Sequence, residues 1–465
     1  MSSTSIPSPV SFYQALLYWL KLGFVSFGGP AGQIAMMHQE LVERRRWISE
    51  QRFLHALSYC NVLPGPEAQQ LATYIGWLMH GTWGGVAAGV LFVLPSLFVL
   101  IALSWIYMAF GSVPAVAAVL DGVKPVVIAI IVFAAYRIGS RALKNWALWM
   151  IAAAAFLAIL VFGVHFPYII LFAGVLGYFG GRLYPAYFKT GGHHGGQVHR
   201  DGPALIDDHT PLPEHARFRW ARAILFTVVG LLLWAAAMLL LKYGGDAKGV
   251  YLDMGGFFTK AALYTVGGAY AVLPYVCQNA VENYQWLNAS QMIDGLALGE
   301  TTPGPLIMVV AFVGFVGAWT HQVFGSEQIA LAGIIGASVA TFFTFLPSFI
   351  FILVGAPGVE RSRHAVGLTA PLAAITAAVV GVIMNLGVFF AVHVLWPGTH
   401  QVGCSSDQLF NASYPLNQFA WGQALVAVGA FMVLWRFNKK VGIIPVILAG
   451  GMIGLVMLWV RPLLA

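Results

Sequence analysis

Pro64-Gly65-Pro66 interrupts a stretch, residues 53 to 82, that is otherwise apolar enough to lie in a membrane. Two prolines around a glycine cannot continue a helix, because each lacks a backbone N–H and its ring clashes with the preceding turn. A second break, Pro303-Gly304-Pro305, lies 239 residues further on, and the same shift maps Gly28-Gly29 onto Gly267-Gly268, Trp47 onto Trp286 and Leu57 onto Leu296. Interrupted apolar segments at matching positions of two halves are the sequence mark of a transporter binding site.

The chain has 465 residues, 59% hydrophobic and 9% charged, whereas soluble domains carry about 25% charged residues. It reads as an all-α polytopic membrane protein. The net charge of +7 is an orientation signal, because the basic residues concentrate in short loops and a central linker. Cys60, Cys277 and Cys404 have no metal-ligand spacing. The start of the sequence has no basic n-region or cleavage site, so the first apolar run is expected to persist as a span.

Spans of about 17 to 25 residues are expected near 11–31, 53–80, 84–110, 114–137, 145–163 and 166–182. A Gly-, His- and Pro-rich linker over 183–218 is expected to be flexible and cytoplasmic. A connecting span at 219–242 follows, within a region 219–254. Six further spans lie near 255–278, 291–319, 328–355, 365–392, 418–436 and 441–461. The domains are thus 1–182, a repeat, and 255–465, its second copy. Leu94-Pro95-Ser96 matches Leu346-Pro347-Ser348, Pro125 matches Pro371 and Pro167 matches Pro445. About thirteen crossings, an odd number between equivalent spans, turn the second half upside down. Opposite charge bias at equivalent loops agrees: Arg137, Arg141 and Lys144 have no basic counterpart near 393–417, and Arg361, Arg363, Arg436, Lys439 and Lys440 have none in the first half. One loop disagrees, since Arg44-Arg45-Arg46 and Arg52 face outward in this scheme. Re-entry of the Pro-Gly-Pro segments alone brings that loop inside but makes the halves parallel.

A helix starting after such a break offers unpaired N–H groups and a positive dipole end, which suits an anion. The candidate substrate-binding residues are Asn61, Pro64, Gly65, Pro66 and Gln69 at the first break, and Thr301, Thr302, Pro303, Gly304 and Pro305 at the second. The alternative is a pair of structural kinks. Ser26 to Gln33 and its counterpart Thr265 to Tyr270 read either as a second pair of broken helices or as close helix packing; Gly28, Gly29, Gly267 and Gly268 are expected to let a substrate approach the backbone, while Gly32 serves packing. Glu67 and Glu300 flank the breaks and are proton-coupling candidates, Glu67 being equally suited to capping a helix. Lys124 and Asp121, three apart in the fourth span, can pair; Lys124 is also a substrate-binding candidate and Asp121 a proton-coupling one. The arginine cluster at 44 to 46 either steers an anion or is a solvated loop balanced by Glu40, Glu43 and Glu50. His193, His194 and His199 lie among glycines that fix no geometry, so neither a metal nor a cofactor is expected, and no signature of an enzyme is present.

These residues resemble the chromate ion transporter family in its long, two-domain form. The likeness rests on 24–76, on FVLPSLF at 92–98, on TVGGAYAVLPYV at 265–276 and on LALGETTPGPLIMVVAFVGF at 296–315. The resemblance implies a secondary transporter of a bacterial inner membrane that exports chromate, conferring resistance. It also implies coupling to protons, as an antiporter, and sulfate as a related oxyanion. A sulfate importer and an anion channel are the competing readings; nucleic acid is no partner, and a homodimer is one option for assembly. Pro30 becomes Ala269 in the second half and the arginine cluster becomes Glu282 to Tyr284, so the halves are expected to differ in role.

Overall fold

The computed structural model describes residues 9–27, 29–184, 204–207, 210, 213–244, 249–361, 369–397, 415–437 and 441–464. Gly28, the three linker histidines and Cys404 lie outside them. Among the described residues there are sixteen α-helices. Seven are long and apolar enough to cross a membrane, and three apolar runs are shorter. The chain is therefore an all-α polytopic membrane protein.

The first half opens with α1 (Phe12–Val25), α2 (Gly29–His38) and α3 (Glu50–Cys60), then α4 (Glu67–Phe110), α5 (Pro114–Ala142), α6 (Trp146–Leu160) and α7 (Phe166–Leu183). Ser11 and Ser49 cap α1 and α3 by accepting from the N–H groups of Gln14 and Arg52. The 44 residues of α4 are two antiparallel limbs, because His80 and Gly81 are non-helical, with Gly81 at φ 67°. Glycines let the limbs touch: a Cβ on Gly76 would stand 2.5 Å from the carbonyl oxygen of Gly84.

After α8 (Trp220–Tyr243) the same order returns as α9 (Val250–Tyr264), α10 (Ala269–Gln278), α11 (Ala289–Thr301), α12 (Val309–Thr320), α13 (Ile329–Arg361), α14 (Thr369–Leu395), α15 (Trp421–Phe437) and α16 (Ile443–Leu464). Here α12 and α13 stand where the limbs of α4 stand. The likeness extends to single bonds. Both α2 and α10 run into a π-turn, and Arg45 N–H donates to the Glu40 carbonyl as Tyr284 N–H does to Asn279, each at 2.9 Å. Arg46 and Gln285, which follow, have φ 52° and 51°. The halves also trade partners: α5 packs on α15 and α16, while its equivalent α14 packs on α6 and α7. Helix α8 buries only Gly230, so it is a peripheral strut with an apolar surface suited to lipid.

Two ends of the molecule can be told apart. At the first, His80 Nε2 bonds to the Val10 carbonyl at 3.0 Å, so the turn between the α4 limbs adjoins the start of α1. The loop before α3 is there too, tied to the linker by Leu205 N–H to Arg46 O and Ile206 N–H to Trp47 O. His215 reaches the Trp77 carbonyl at 3.0 Å, and Phe218 lies against Gly358 at the end of α13. Where the linker is described beyond 203, it is thus docked on the first half. At the other end of α13, Ala332 accepts from the Tyr251 hydroxyl at the start of α9, and Gly317 packs on Trp286 in the loop before α11. The openings of the two halves therefore sit at opposite ends of α13, a helix of 33 residues.

Candidate transport site

The breaks meet each other across the two halves. Gly65 N–H donates to the Thr265 carbonyl at 2.7 Å, and Gly304 N–H donates to the Ser26 carbonyl at 2.8 Å. Since Ser26 and Gly65 become Thr265 and Gly304 under the 239-residue shift, these are one bond made twice. Each Pro-Gly-Pro break is thereby stitched to the small-residue break of the other half. The glycines are required here, for Gly65 has φ 128° and Gly304 has φ 103°. Space requires them as well: a Cβ on Gly65 would collide with Ser348 Oγ and lie 2.5 Å from Gln70 Nε2, and one on Gly304 would lie 2.7 Å from Ser96 Cβ. Those two serines are again equivalents, from the two Leu-Pro-Ser motifs.

Four segments start at this point, α2 at Gly29, α4 at Glu67, α10 at Ala269 and the short turn before α12 at Leu306. Their N–H groups and positive dipole ends converge. Around them Gln33 Nε2 donates to the Ser26 carbonyl at 3.2 Å and also to that of Gly304, while Gln70 Nε2 donates to the Pro64 carbonyl at 2.7 Å. Ser26 Oγ, Gln33 Oε1, Gln69 Oε1, Gln70 Oε1 and Ser96 Oγ are buried and make no hydrogen bond among the described residues. A polar cluster with this much unused capacity in a dry interior points to function, since unmet polar groups are costly there.

The predicted residues fall unevenly around this centre. Gly29 faces the Tyr270 hydroxyl, 3.9 Å from where a Cβ would be, and Gly268 stands likewise 3.4 Å from Glu67 Oε1. Gly267 faces Val379 instead. Pro66 is the N-cap of α4, and Gln69 spends its amide on Thr73 Oγ1 at 3.0 Å. Thr301 and Thr302 donate their hydroxyl protons back to Leu298 and Gly299 of their own helix, so neither proton is free for an anion. Asn61 ends α3 with its side chain exposed. Pro303 and Pro305 frame the glycine. Glu300 is buried and accepts from the Tyr270 hydroxyl at 2.7 Å. Lys124 and Asp121 do pair, at 2.8 Å, away from the breaks.

Other residues emerge from the structure alone. Gln33, Ser96, Ser348 and Tyr270 reach the centre through contacts between halves, which no local pattern announces. Asp294 differs, being a carboxylate inside the expected span 291–319, and intramembrane charge is a signal legible in sequence. Of the arginine cluster, Arg44 and Arg45 both pair with Glu40, at 3.3 and 2.8 Å, which supports the balanced-loop reading.

A duplicated, apolar, all-helical chain whose broken segments meet at a polar centre defines the class of membrane carriers built from repeats. Comparison gives the family. The chromate transporter model matches residues 13–178 and 252–455, and the chain belongs to that family. It is 33% identical over 454 residues to a chromate transport protein of Pseudomonas aeruginosa, covering 97% of this chain and 94% of that one. It is 30% identical over 379 residues to a chromate transport protein of Cupriavidus metallidurans, covering 81% and 82%. An uncharacterized transporter of Bacillus subtilis, YwrA, aligns over 171 residues at 29% identity, 36% of this chain but 96% of its own length, so it is about one repeat long. No solved structure matches.

Proposed function

We propose that this protein exports chromate across a bacterial inner membrane from a site where the two sets of breaks meet. The doubled bond between Gly65 and Thr265 and between Gly304 and Ser26 carries the reading, because it brings the helix N-termini of both halves to one centre. The names of the relatives supply the oxyanion. Sulfate has the same tetrahedral shape and charge, so it is the competing substrate to measure.

Our reading of the topology is nine crossings rather than thirteen. Helices α1 and α2, and α3 with the first limb of α4, each begin and end at the linker side, so they are re-entrant hairpins. Their counterparts α9 with α10 and α11 with α12 do the same from the opposite side. Crossing is left to the second limb of α4, to α5 through α8 and to α13 through α16. Two hairpins per half add no net crossing, so the halves remain inverted, which re-entry of the Pro-Gly-Pro segments alone did not allow. The loop of Arg44, Arg45 and Arg46 then joins Arg137, Arg141, Lys144 and Arg436 on the cytoplasmic side, in keeping with the positive-inside rule. A thiol placed at Ser49 should react with impermeant reagents only from the cytoplasm; labelling from outside refutes the scheme.

The sign of proton coupling follows from charge. A carboxylate beside an anion holds its proton more tightly when the anion is bound, and by linkage the proton strengthens anion binding. Proton and oxyanion therefore travel together, which revises the antiport implied by resemblance. An inside-negative potential of 100 mV drives a dianion outward by about 4.6 kcal/mol, and one accompanying proton returns about 2.3 kcal/mol of that. Each pH unit returns a further ~1.4 kcal/mol, so one-proton export stays downhill until the gradient reaches about 1.7 units. Two protons make the cycle electroneutral, and the pH gradient then runs it inward.

The test is uptake of labelled chromate and sulfate into everted vesicles under an imposed potential, with and without a pH gradient. We expect chromate to accumulate under the potential alone and less as the vesicle interior is acidified. Accumulation in right-side-out vesicles instead means a two-proton importer.

A further inference from the structure

A second group of charges lies apart from the breaks. Asp294, on α11, has a side chain 5% exposed; Tyr107, on α4, donates its hydroxyl to Oδ2 at 3.0 Å, and Oδ1 makes no hydrogen bond. Lys124 Nζ stands 4.0 Å from that idle Oδ1 but is bonded, at 2.8 Å, to Asp121, whose side chain is 62% exposed. One ammonium is thus shared between a buried carboxylate and an exposed one. Tyr107 also packs edge-on against Phe312 of α12, which keeps the far side of the group apolar. Of the other helices against α11, α16 brings no ionisable residue over 443–460 and α14 brings only His393, whose Nδ1 is bonded to the Phe389 carbonyl.

The group occurs once. Under the repeat shifts, Asp294 corresponds to His55, Tyr107 to Val359 and Lys124 to Ala370. A scaffold that duplicates its breaks bond for bond does not need an unduplicated charge cluster to fold. Such a cluster gives the path two unlike ends. It is also linked to the centre, since Asp294 lies six residues, about 9 Å of helix, from Glu300 on α11.

We infer that Asp294 is the carboxylate that binds the accompanying proton, and that Lys124 is the cation it contests with the oxyanion. When Asp294 is ionised it holds Lys124 by charge and denies it to the substrate. Once protonated it releases the ammonium, which then serves the oxyanion, while Asp121 connects the pair to solvent. Glu67 and Glu300 lack such a cation: among the described residues neither has a lysine or arginine within ion-pair distance, whereas Asp294 has Lys124 at 4.0 Å.

This rests on the reading that a proton accompanies the oxyanion, and one reconstitution separates the two. The full chain in proteoliposomes is assayed for pH-gradient modulation of chromate accumulation and for chromate exchange at equal pH. Wild type without chromate movement overturns the function proposed above. If wild type transports with gradient dependence, Asp294→Asn should lose that dependence by about tenfold or more while exchange persists, and Asp294→Glu should restore it in part. Tyr107→Phe, which removes one hydroxyl, should move the pH profile of accumulation toward higher pH by about half a unit, as loss of a donor to a carboxylate does, with exchange retained. Asp294→Asn with wild-type gradient dependence overturns the inference. So does loss of exchange together with accumulation at normal protein amount, or an unmoved profile in Tyr107→Phe.

Discussion

The two break regions share a backbone and differ in their side chains. The first half brings Gln33 to the Gly304 carbonyl, Gln69 to Thr73 and Gln70 to Gly65; 239 residues on, the same places hold Val272, Met308 and Val309. The second half instead carries Glu300, Asp294 and Tyr270, where the first has Asn61, His55 and Ala31. The first half brings three amides and one carboxylate, Glu67, whose place in the second half is Leu306; the second brings two carboxylates. Main-chain features, namely the glycine angles, the doubled bond and the serine contacts, are the parts both halves keep. What is common to both holds the centre together, and what differs can set direction and coupling. A carrier with two identical halves would have no preferred sense.

The largest effect should come from breaking what is common. Gly65→Ala and Gly304→Ala each force a side chain into a positive φ and against a serine of the opposite half. Backbone strain of about 1 to 3 kcal/mol and overpacking of similar size should together cost roughly 2 to 5 kcal/mol, seen as a lower unfolding temperature in detergent and loss of chromate transport. Adding Ser348→Gly to the first variant, or Ser96→Gly to the second, should recover the packing share alone. Losses that differ more than about tenfold in transport between the two glycines would break the equivalence.

Next comes what is not common. Gln33→Leu strips a donor from the buried Gly304 carbonyl, a loss worth about 1 to 3 kcal/mol, while that of Ser26 keeps the Gly304 N–H. The reverse exchange, Val272→Gln, should give no matching gain, because Val272 is fully buried and a longer side chain overpacks its site. A gain in stability from Val272→Gln, measured by thermal unfolding, would mean that the difference between the halves is incidental.

Much of this comparison is legible in the sequence. Prolines and glycines stop helices by local sterics, so the breaks and the repeat could be read from spacing alone. Ser26 to Gln33 is legible as a glycine-rich interruption inside the first expected span, 11–31, but what holds that break is not, since the partner half stabilises it by donating Gly304 N–H to the Ser26 carbonyl. For the same reason the re-entry proposed for α2 is not legible in hydropathy. Hydropathy reports that a segment is apolar, not whether its ends lie on one side. Lys124 with Asp121 followed from helical spacing, whereas the approach of Asp294 to Lys124 depends on α11 packing against α5. Thr301 and Thr302 show the opposite limit, for hydroxyls beside a break are as apt to bond back to their own helix as to face a ligand.

The smallest predicted effect concerns a pair of loops, where the halves solve one packing problem with different chemistry. The Arg45 guanidinium packs on both the Tyr18 and Trp47 rings, 5.2 and 5.0 Å from their centroids, and the two rings touch each other at 5.3 Å. At the equivalent place Tyr284 packs on Phe257 and Trp286, at 5.5 and 4.5 Å, and those rings are 5.5 Å apart. Arg45→Tyr should therefore keep the stack and change stability by less than about 1 kcal/mol, since the ion pair it removes is partly exposed and screened, whereas Arg45→Ala should lose both cation–π contacts, about 1 to 2 kcal/mol in sum. The pair leaves a pH signature. Arg45, bonded to Glu40, holds that carboxyl below its ordinary 4.5, so the stabilisation is complete above that value and is lost as pH falls through the lower, folded one. Thermal unfolding of wild type should show this small extra acid sensitivity below pH 4.5, and Arg45→Tyr, which leaves only Arg44 paired with Glu40, should show less of it; the second half, with Asn279 in place of Glu40, has no such carboxyl. If Arg45→Tyr destabilises as much as Arg45→Ala, the two loops are alike in backbone only, and their aromatic clusters are not interchangeable.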